Sequence, residues 1–596
     1  MGSIAAEVID RLRSGGVGRG GQVAVAITAD GSAGMTAGDG LQWSFDDRQS
    51  GPVVAAVEEE IRPRWVVWSS ESARLLVNAG VRVATCWDVA SVHRLLVGGW
   101  RADPARVWAQ VHGLKGGDDL PRSQPVDLFH QVDHQAATPA VRADGYLDPD
   151  WAEGCWADSP DRLVRWAGLA LEVARRQGEL LAGAAADAGP DAGPVAGADA
   201  GPGSRRRAAT ARSESAAELL CAELAADGLP MDRTTVEALI AASIGPRART
   251  EAESVEHRAV RDAEVLQHAP AGMAFDLRSP IQVRQLLRSV GIEVPDTRAS
   301  RLEPLRDAHP VVEALLGWRK AERIATTYGY AWLDEHLGAD GRLRGEWTGC
   351  DGAAGRMTAS AGLHNMPADL RPAVMAENGF VFVRADLGQI EPRVLAAVSD
   401  DQALARAARE DDMYAPVAAQ LGVDRATAKV AVLGAMYGQT TGHGAQALRR
   451  LATAYPVAMG YLDAADRDAQ FSIDLRTYGG RLIRMGMNNP EFTDREARSQ
   501  AAARGRYGRN AVIQGAAAEF FKLWAVTVRA RAAVFAAGIV LCLHDELLVH
   551  SPVEHGPAVA QLLGDCLQEA AYRWAPDTPV RFIADTSIIN RWSDAK

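Results

Sequence analysis

Along the first 180 or so residues, short apolar runs alternate with longer amphipathic stretches. The runs VAVAIT (23–28), WVVWSS (65–70) and VRVATC (81–86) are rich in β-branched or aromatic residues, which predicts strands. Asp161–Leu181 carries apolar residues at helical spacing and predicts a helix. This alternation predicts an α/β N-terminal domain. Helical periodicity dominates from Ser215 to Tyr330, and strand-like runs return at Phe380–Val383 and across Ile539–Val549. No internal repeat is visible.

One boundary interrupts the pattern. Residues 182–213, AGAAADAGPDAGPVAGADAGPGSRRRAATARS, are low-complexity sequence ending in a basic knot. Such a composition buries too little apolar surface to offset chain entropy, which predicts a disordered linker between residues 1–181 and 214–596. A chain of 596 residues is also too long for one ordinary core. No run of about 18 or more uncharged apolar residues is present, and MGSIAAEVIDRLRSGG lacks the apolar centre of a signal peptide. A cytoplasmic protein with no membrane partner is expected. Six cysteines form no CxxC pair, so neither a zinc site nor a disulfide framework is indicated.

The acids within the late strands carry the first chemical signal. Ile539–Leu543 and Leu547–Val549 enclose His544, Asp545 and Glu546. Alone, that triplet reads as a solvated hairpin turn. A second apolar run, in GFVFVRADLGQIEPRVLAAV, also leads into an acid, Asp386. Two strand-end aspartates without a nearby Cys or His cluster point to hard oxygen ligation, hence Mg²⁺ or Mn²⁺.

Between them, Arg425, Lys429, Leu433 and Tyr437 recur every fourth residue and share one helix face, ending at Gly438. That face can be a solvated basic edge, or it can present Arg and Lys to a polyphosphate. Lysine is scarce, so Lys429 and Lys522 stand out. The net charge of −12 opposes a nucleic-acid partner in its sum, yet distribution matters more. Basic residues gather at Arg301, Arg306, Arg319, Lys320 and Arg323, and again at Arg495, Arg498, Arg504, Arg506 and Arg509.

These segments resemble motifs A, B and C of the family A DNA polymerases, the bacterial DNA polymerase I family. DLGQIEPR (386–393) stands where that family reads DYSQIELR, Arg425 to Gly438 where it reads R-x3-K-x3-F-x3-YG, and LHDE (543–546) where it reads VHDE. FDLRSPIQVRQLL, LLGWRKAERIATTY, GRMTASAGLHNMPADLRPAV, TYGGRLIR, RGRYGRNAVIQGAAAEFFK and Trp592 extend the similarity over nearly all of residues 215–596, in the family's order. The resemblance implies a right-hand α+β polymerase domain, with thumb near 240–340, palm near 345–400 and 505–596, and fingers near 401–500.

It also implies roles. Asp386 and Asp545 would hold two Mg²⁺ ions, with Glu546 an outer acid or weak ligand. Arg425 and Lys429 would bind the incoming dNTP, with Lys429 placed to protonate pyrophosphate. Glu391 would be the steric gate against a ribose. Gln389, Leu433, Tyr437 and Tyr414 would line the nucleotide site. Arg356, Asn365, Arg371, Arg506, Asn510, Gln514 and His544 would track primer–template DNA. Three departures bear on nucleotide selection: Leu433 where the family has Phe or Tyr, Tyr414 where a His is usual, and Pro392 where it has Leu.

By position, residues 1–181 should resemble the family's 3′–5′ exonuclease, an RNase H-like domain whose metals need four carboxylates. Asp30 lacks a DxE partner, Glu71 lacks the spacing, and Trp166 and Ala170 stand where Tyr and Asp are required. A degenerate exonuclease-like domain without proofreading is expected, with no counterpart of the longer relatives' 5′-nuclease domain. The function expected is a monomeric, nucleoid-associated DNA polymerase in repair or gap filling. The alternative is a non-catalytic primer–template binding protein.

Overall fold

The computed structural model describes residues 2–38, 40–115, 139–183, 202–438, 445–486 and 494–595. They divide into two compact units. Met1–Asp227, Trp347–Thr358 and Val383–Ile588 form the first; Gly228–Glu346, Ala359–Phe382 and Ile589–Lys596 form the second.

The N-terminal part of the first unit is built on a five-stranded sheet in the order Leu41–Phe45, Ala33–Gly38, Gln22–Ile27, Arg64–Val67, Cys86–Asp88. The first three strands pair antiparallel, and the last two run parallel to Gln22–Ile27. Period-two alternation sends Val23, Val25, Ile27, Trp65 and Val67 into one core and Ala24, Ala26, Val66 and Trp68 into another, so both faces are covered. The helix Pro160–Ala182 forms where the spacing predicts it and supplies Leu163, Trp166, Ala170 and Val173 to the second core. VRVATC behaves differently: only Cys86 enters a strand. Its first residue closes the helix Ser70–Asn78 instead, because Gly80 at φ 78° turns the chain and the Val81 N–H returns to the Leu76 carbonyl at 2.9 Å.

Residues 202–213, expected as disordered linker, are instead the first half of a 26-residue helix, Pro202–Asp227. Residues 184–201 lie outside the described residues. The helix escapes an apolar-periodicity search because small residues and polar ones with partners make up much of its buried surface. Ala211 joins one core of the N-terminal sheet, and Leu219 and Ala222 the other. Ser215 Oγ accepts the Asp88 N–H at 3.1 Å, and Ser204, Arg207, Thr210 and Ser213 are all buried.

A second sheet, most of which belongs to the first unit, has four strands in the order Gly538–Leu543, Glu546–Pro552, Phe380–Leu387, Ala584–Ile589. The 39-residue helix Asp494–Ala532 belongs to the same unit. Its apolar stretch is long enough to cross a bilayer by composition alone, but 83% of that window is buried in the protein. The second unit is mainly helical, with Arg233–Ile244, Glu251–Leu266, Pro280–Ser289 and Pro310–Thr327 as its longer elements. Its basic cluster is partly spoken for. Arg306 pairs with Glu303 and Glu313 at 2.8 and 2.5 Å, while Arg319 and Arg323 donate to the carbonyls of Thr297 and Asn365.

A buried charge cluster ties the first unit together. Glu214 pairs with Arg481 and with Lys522, whose ammonium reaches Oε2 at 2.6 Å. The same ammonium donates to the carbonyls of Gly355 at 2.7 Å and Gly349 at 3.2 Å, so all three of its protons are used. A Cβ at Gly349 would stand 2.8 Å from the Glu218 carboxyl carbon, which is why the hairpin there needs glycine. Glu214→Gln leaves two buried cations without their acid, and a loss of about 3–5 kcal/mol in urea-unfolding stability is expected. A change within 0.5 kcal/mol would mean that the cluster is solvated.

Candidate active site

The acids stand at two adjoining strand ends. Leu543 pairs with Glu546, so His544 and Asp545 form a two-residue connection in which His544 takes a left-handed φ of 31°. The neighbouring strand Phe380–Leu387 ends beside it, and the Leu387 N–H donates to the Asp545 carbonyl at 2.9 Å. Asp386 and Asp545 are thereby brought together. Burial first, then the charge of Asp545, pushes the Asp386 carboxyl up to about 6, partly offset by Arg384. Burial, then Glu546, also raises Asp545. Like charges held this close in partial burial favour a counter-cation.

Glu546 is buried beside them. Arg384, two residues before Asp386 and so on the same strand face, donates to Glu546 Oε2 at 3.0 Å and to Asp386 Oδ2 at 2.6 Å. Asp585 lies 4.0 Å from its other terminal nitrogen and is 78% exposed. Sequence reasoning passed over Arg384, although an arginine in the apolar run FVFVRADL was a visible signal.

The donor set fits hard divalent cations, since it offers carboxylate oxygens and no thiolate. Among the described residues no three His, Cys, Asp or Glu side chains form a metal-holding group. Asp386 and Asp545 would therefore need oxygens from substrate and water to complete a coordination shell, as Mg²⁺ sites commonly do.

The helix Arg425–Met436 presents the face that its spacing predicts. Arg425, Lys429 and Tyr437 are exposed, Leu433 is partly exposed, and Ala428, Ala431, Val432 and Ala435 are buried. Asp424 caps it by accepting the Thr427 N–H at 2.9 Å. Arg425 is ion-paired to Asp412 at 2.5 Å, and this pairing lowers the Asp412 carboxyl. Glu391, in the first turn of the helix Ile390–Ser399, accepts from Arg356 at 3.1 Å and from the Tyr437 hydroxyl at 3.0 Å. Burial and then Arg356 lower His544. Glu391, Arg356 and Tyr437 thus form one contact cluster.

Gln389 is engaged internally: its amide donates to Asp412 at 2.8 Å and its carbonyl accepts the Met413 N–H at 3.0 Å. Tyr414, expected as a nucleotide contact, is only 4% exposed; its ring lies 5.8 Å from the Arg425 guanidinium. Arg506, Asn510 and Gln514 share one face of the helix Asp494–Ala532, and the Arg506 stem packs against Gly438. Asn365 and Arg371 belong to the second unit, where the Arg371 guanidinium sits 4.2 Å from the Trp592 ring centre.

The family model for DNA polymerase family A matches residues 248–594. The chain belongs to that family. It is 30% identical over 341 residues to DNA polymerase I of Deinococcus radiodurans, which covers 50% of this chain and 35% of that protein. It is 30% identical over 383 residues to the thermostable DNA polymerase I of Thermus aquaticus, covering 58% and 44%. The chain thus spans less than half the length of these two relatives. Among solved structures, the POL domain of Pol1 from M. smegmatis, in complex with DNA primer-template and dNTP, aligns with a TM-score of 0.66. That alignment covers 99% of this chain and 98% of the other, at 20% identity, which carries the fold alone.

Arg393 of this family A chain is a further residue that sequence reasoning did not single out. It is fully buried and donates to the carbonyls of Gly388, Ala408, Glu410, Asp411 and Arg581 at 2.5–3.0 Å. This fixes the loop after Asp386 to the segment that carries Asp412. Arg393→Met removes the side-chain donor from those buried and part-buried carbonyls, and each one left without a partner costs about 1–3 kcal/mol at the outset. We expect a net loss of about 3 kcal/mol or more, read by urea unfolding, and faster amide exchange at residues 408–413. Unchanged exchange there would show that the loop is held by other means.

Proposed function

We propose that this chain is a template-directed DNA polymerase that adds deoxynucleotides to a primer 3′ end. The carrying observation is the convergence of Asp386 and Asp545 on adjoining strand ends, in a family A chain whose Arg425–Lys429–Tyr437 face remains open. Divalent ions held by the two aspartates would lower the pKa of the primer hydroxyl and neutralise charge on the transferring phosphoryl group. Arg425 and Lys429 would grip the triphosphate, and Lys429 makes no ion pair among the described residues, which leaves its ammonium available. Glu391, fixed by Arg356 and Tyr437, would bound the sugar position. Arg506, Asn510 and Gln514 would follow the DNA along one helix face, with Asn510 Oδ1 buried and without a hydrogen-bond partner among the described residues.

We further propose that the N-terminal domain is exonuclease-like but degenerate. Asp30 is folded into a turn, accepting the Ser32 N–H at 3.1 Å and the Thr28 hydroxyl. Glu71 is ion-paired to Arg74 at 2.6 Å. Trp166 and Ala170 are buried against Trp68 and the sheet. A polymerase without proofreading suits gap filling better than bulk replication.

One observation favours a second reading, a non-catalytic primer–template binding protein: Arg384 is already ion-paired to Asp386 and Glu546. Primer extension with Mg²⁺ and four dNTPs separates the two. Extension is expected, and Asp545→Asn should slow it by at least roughly a hundredfold, since a bound metal supplies several kcal/mol of transition-state stabilisation. Absence of extension would favour the binding protein, and an unimpaired variant would remove Asp545 from the metal site. With a mismatched primer and no dNTPs, no shortening is expected; shortening lost in an N-terminal-domain variant would restore the exonuclease.

A further inference from the structure

We propose that Arg384 is a built-in counter-cation of the candidate site, occupying the carboxylates of Asp386 and Glu546 in the nucleotide-free protein so that a free divalent ion binds there only weakly. The inference rests on the reading of Asp386 and Asp545 as metal ligands.

Three features carry it. Arg384 Nη2 lies 2.6 Å from Asp386 Oδ2 and 3.0 Å from Glu546 Oε2, so its two N–H bonds face the same carboxylate oxygens that a cation would seek. The guanidinium cannot lose its charge at any working pH. It also cannot easily leave, because its side chain is 11% exposed on a strand whose neighbours Phe382, Val383 and Ala385 are fully buried.

Competition follows from charge and from geometry. Charge-assisted hydrogen bonds from guanidinium to carboxylate are strong, and a metal entering at Asp386 must displace one and then stand beside a fixed positive charge. The penalty falls when the ion arrives with a polyanion. A nucleotide triphosphate brings negative oxygens that both bind the ion and offset Arg384. The residue would therefore order the events, with metal occupancy of Asp386 following nucleotide rather than preceding it. Arg384 is a positioning residue in this scheme: it touches the acids and not the reacting atoms.

The test is Mn²⁺ binding to the full chain without DNA or nucleotide, read as the free-ion signal by electron paramagnetic resonance. Arg384→Gln should tighten the Mn²⁺ dissociation constant by roughly tenfold or more, as expected for removing a unit charge a few ångströms away. Arg384→Lys, which keeps the charge, should stay near the parent value. Arg384→Met, whose stem fills the same buried space, serves if the Gln variant does not fold, as judged by thermal unfolding. Dissociation constants within twofold of the parent in folded Gln or Met variants would overturn the proposal. Asp386→Asn in the Arg384→Gln background should erase the gain. If the gain persists there, Asp386 is not a ligand and the metal reading itself fails, an outcome distinct from failure of the Arg384 inference.

Discussion

The carboxylate of Glu214 is the point on which the first unit depends. It is 1% exposed and faces two cations that are themselves buried, one from the turn after Thr477 and one from the long helix Asp494–Ala532. Because Lys522 spends its remaining protons on the Gly349 and Gly355 carbonyls, one acid fixes a hairpin and two helices at once. A buried ion cluster is rarely more stabilising than packed hydrocarbon, but it is intolerant of displacement, since any member that moves leaves an unpaired charge in low dielectric. The face of Arg506, Asn510 and Gln514 lies on that same long helix. The position of the proposed DNA-tracking residues is therefore set by charge pairing several turns away.

Glu214 and Asp386 make an instructive contrast. Burial alone drives both carboxyls up. At Glu214 two cations outweigh burial and the carboxyl is lowered; at Asp386, Asp545 adds to burial and the group is pushed up to about 6 despite Arg384. The difference is the local ratio of cations to acids, not the depth of burial. One cluster is saturated with positive charge and is structural. The other is short of it, and a shortage of positive charge at hard oxygens is what a divalent ion relieves.

Much of the site was legible in the sequence because it rests on short-range spacing. The strand-end acids and the every-fourth-residue face of Arg425, Lys429, Leu433 and Tyr437 need only the periods of a strand and a helix, and the open face is found as expected. What was not legible depends on partners far along the chain. Arg393 takes its meaning from carbonyls of residues 408–411 and 581, and Gln389 from Asp412. Tyr414 shows nothing locally that predicts its burial. The helix Pro202–Asp227 was missed for a related reason: an element whose buried surface is made largely of small and paired polar residues has no stripe to read, and its composition imitates a linker.

The backbone of the site supports the view that its acids are pre-positioned. Gln389 and His544 both adopt left-handed φ, 56° and 31°, just past the ends of the strand that carries Asp386 and the strand that leads to Asp545. Non-glycine residues there cost on the order of 1–3 kcal/mol each and persist only where the surroundings over-determine them. For Gln389 the surroundings are visible: its side chain is pinned from both sides by Asp412 and Met413, and Arg393 on the next turn binds the Gly388 carbonyl. For His544 the constraint is the hairpin itself, whose flanking residues Leu543 and Glu546 are paired and buried. Two strained turns abutting through the Leu387 N–H and the Asp545 carbonyl hold the carboxylates together against their own repulsion. The fold thus bears in advance the cost of assembling the site, and Arg384 is placed to relieve it on both Asp386 and Glu546.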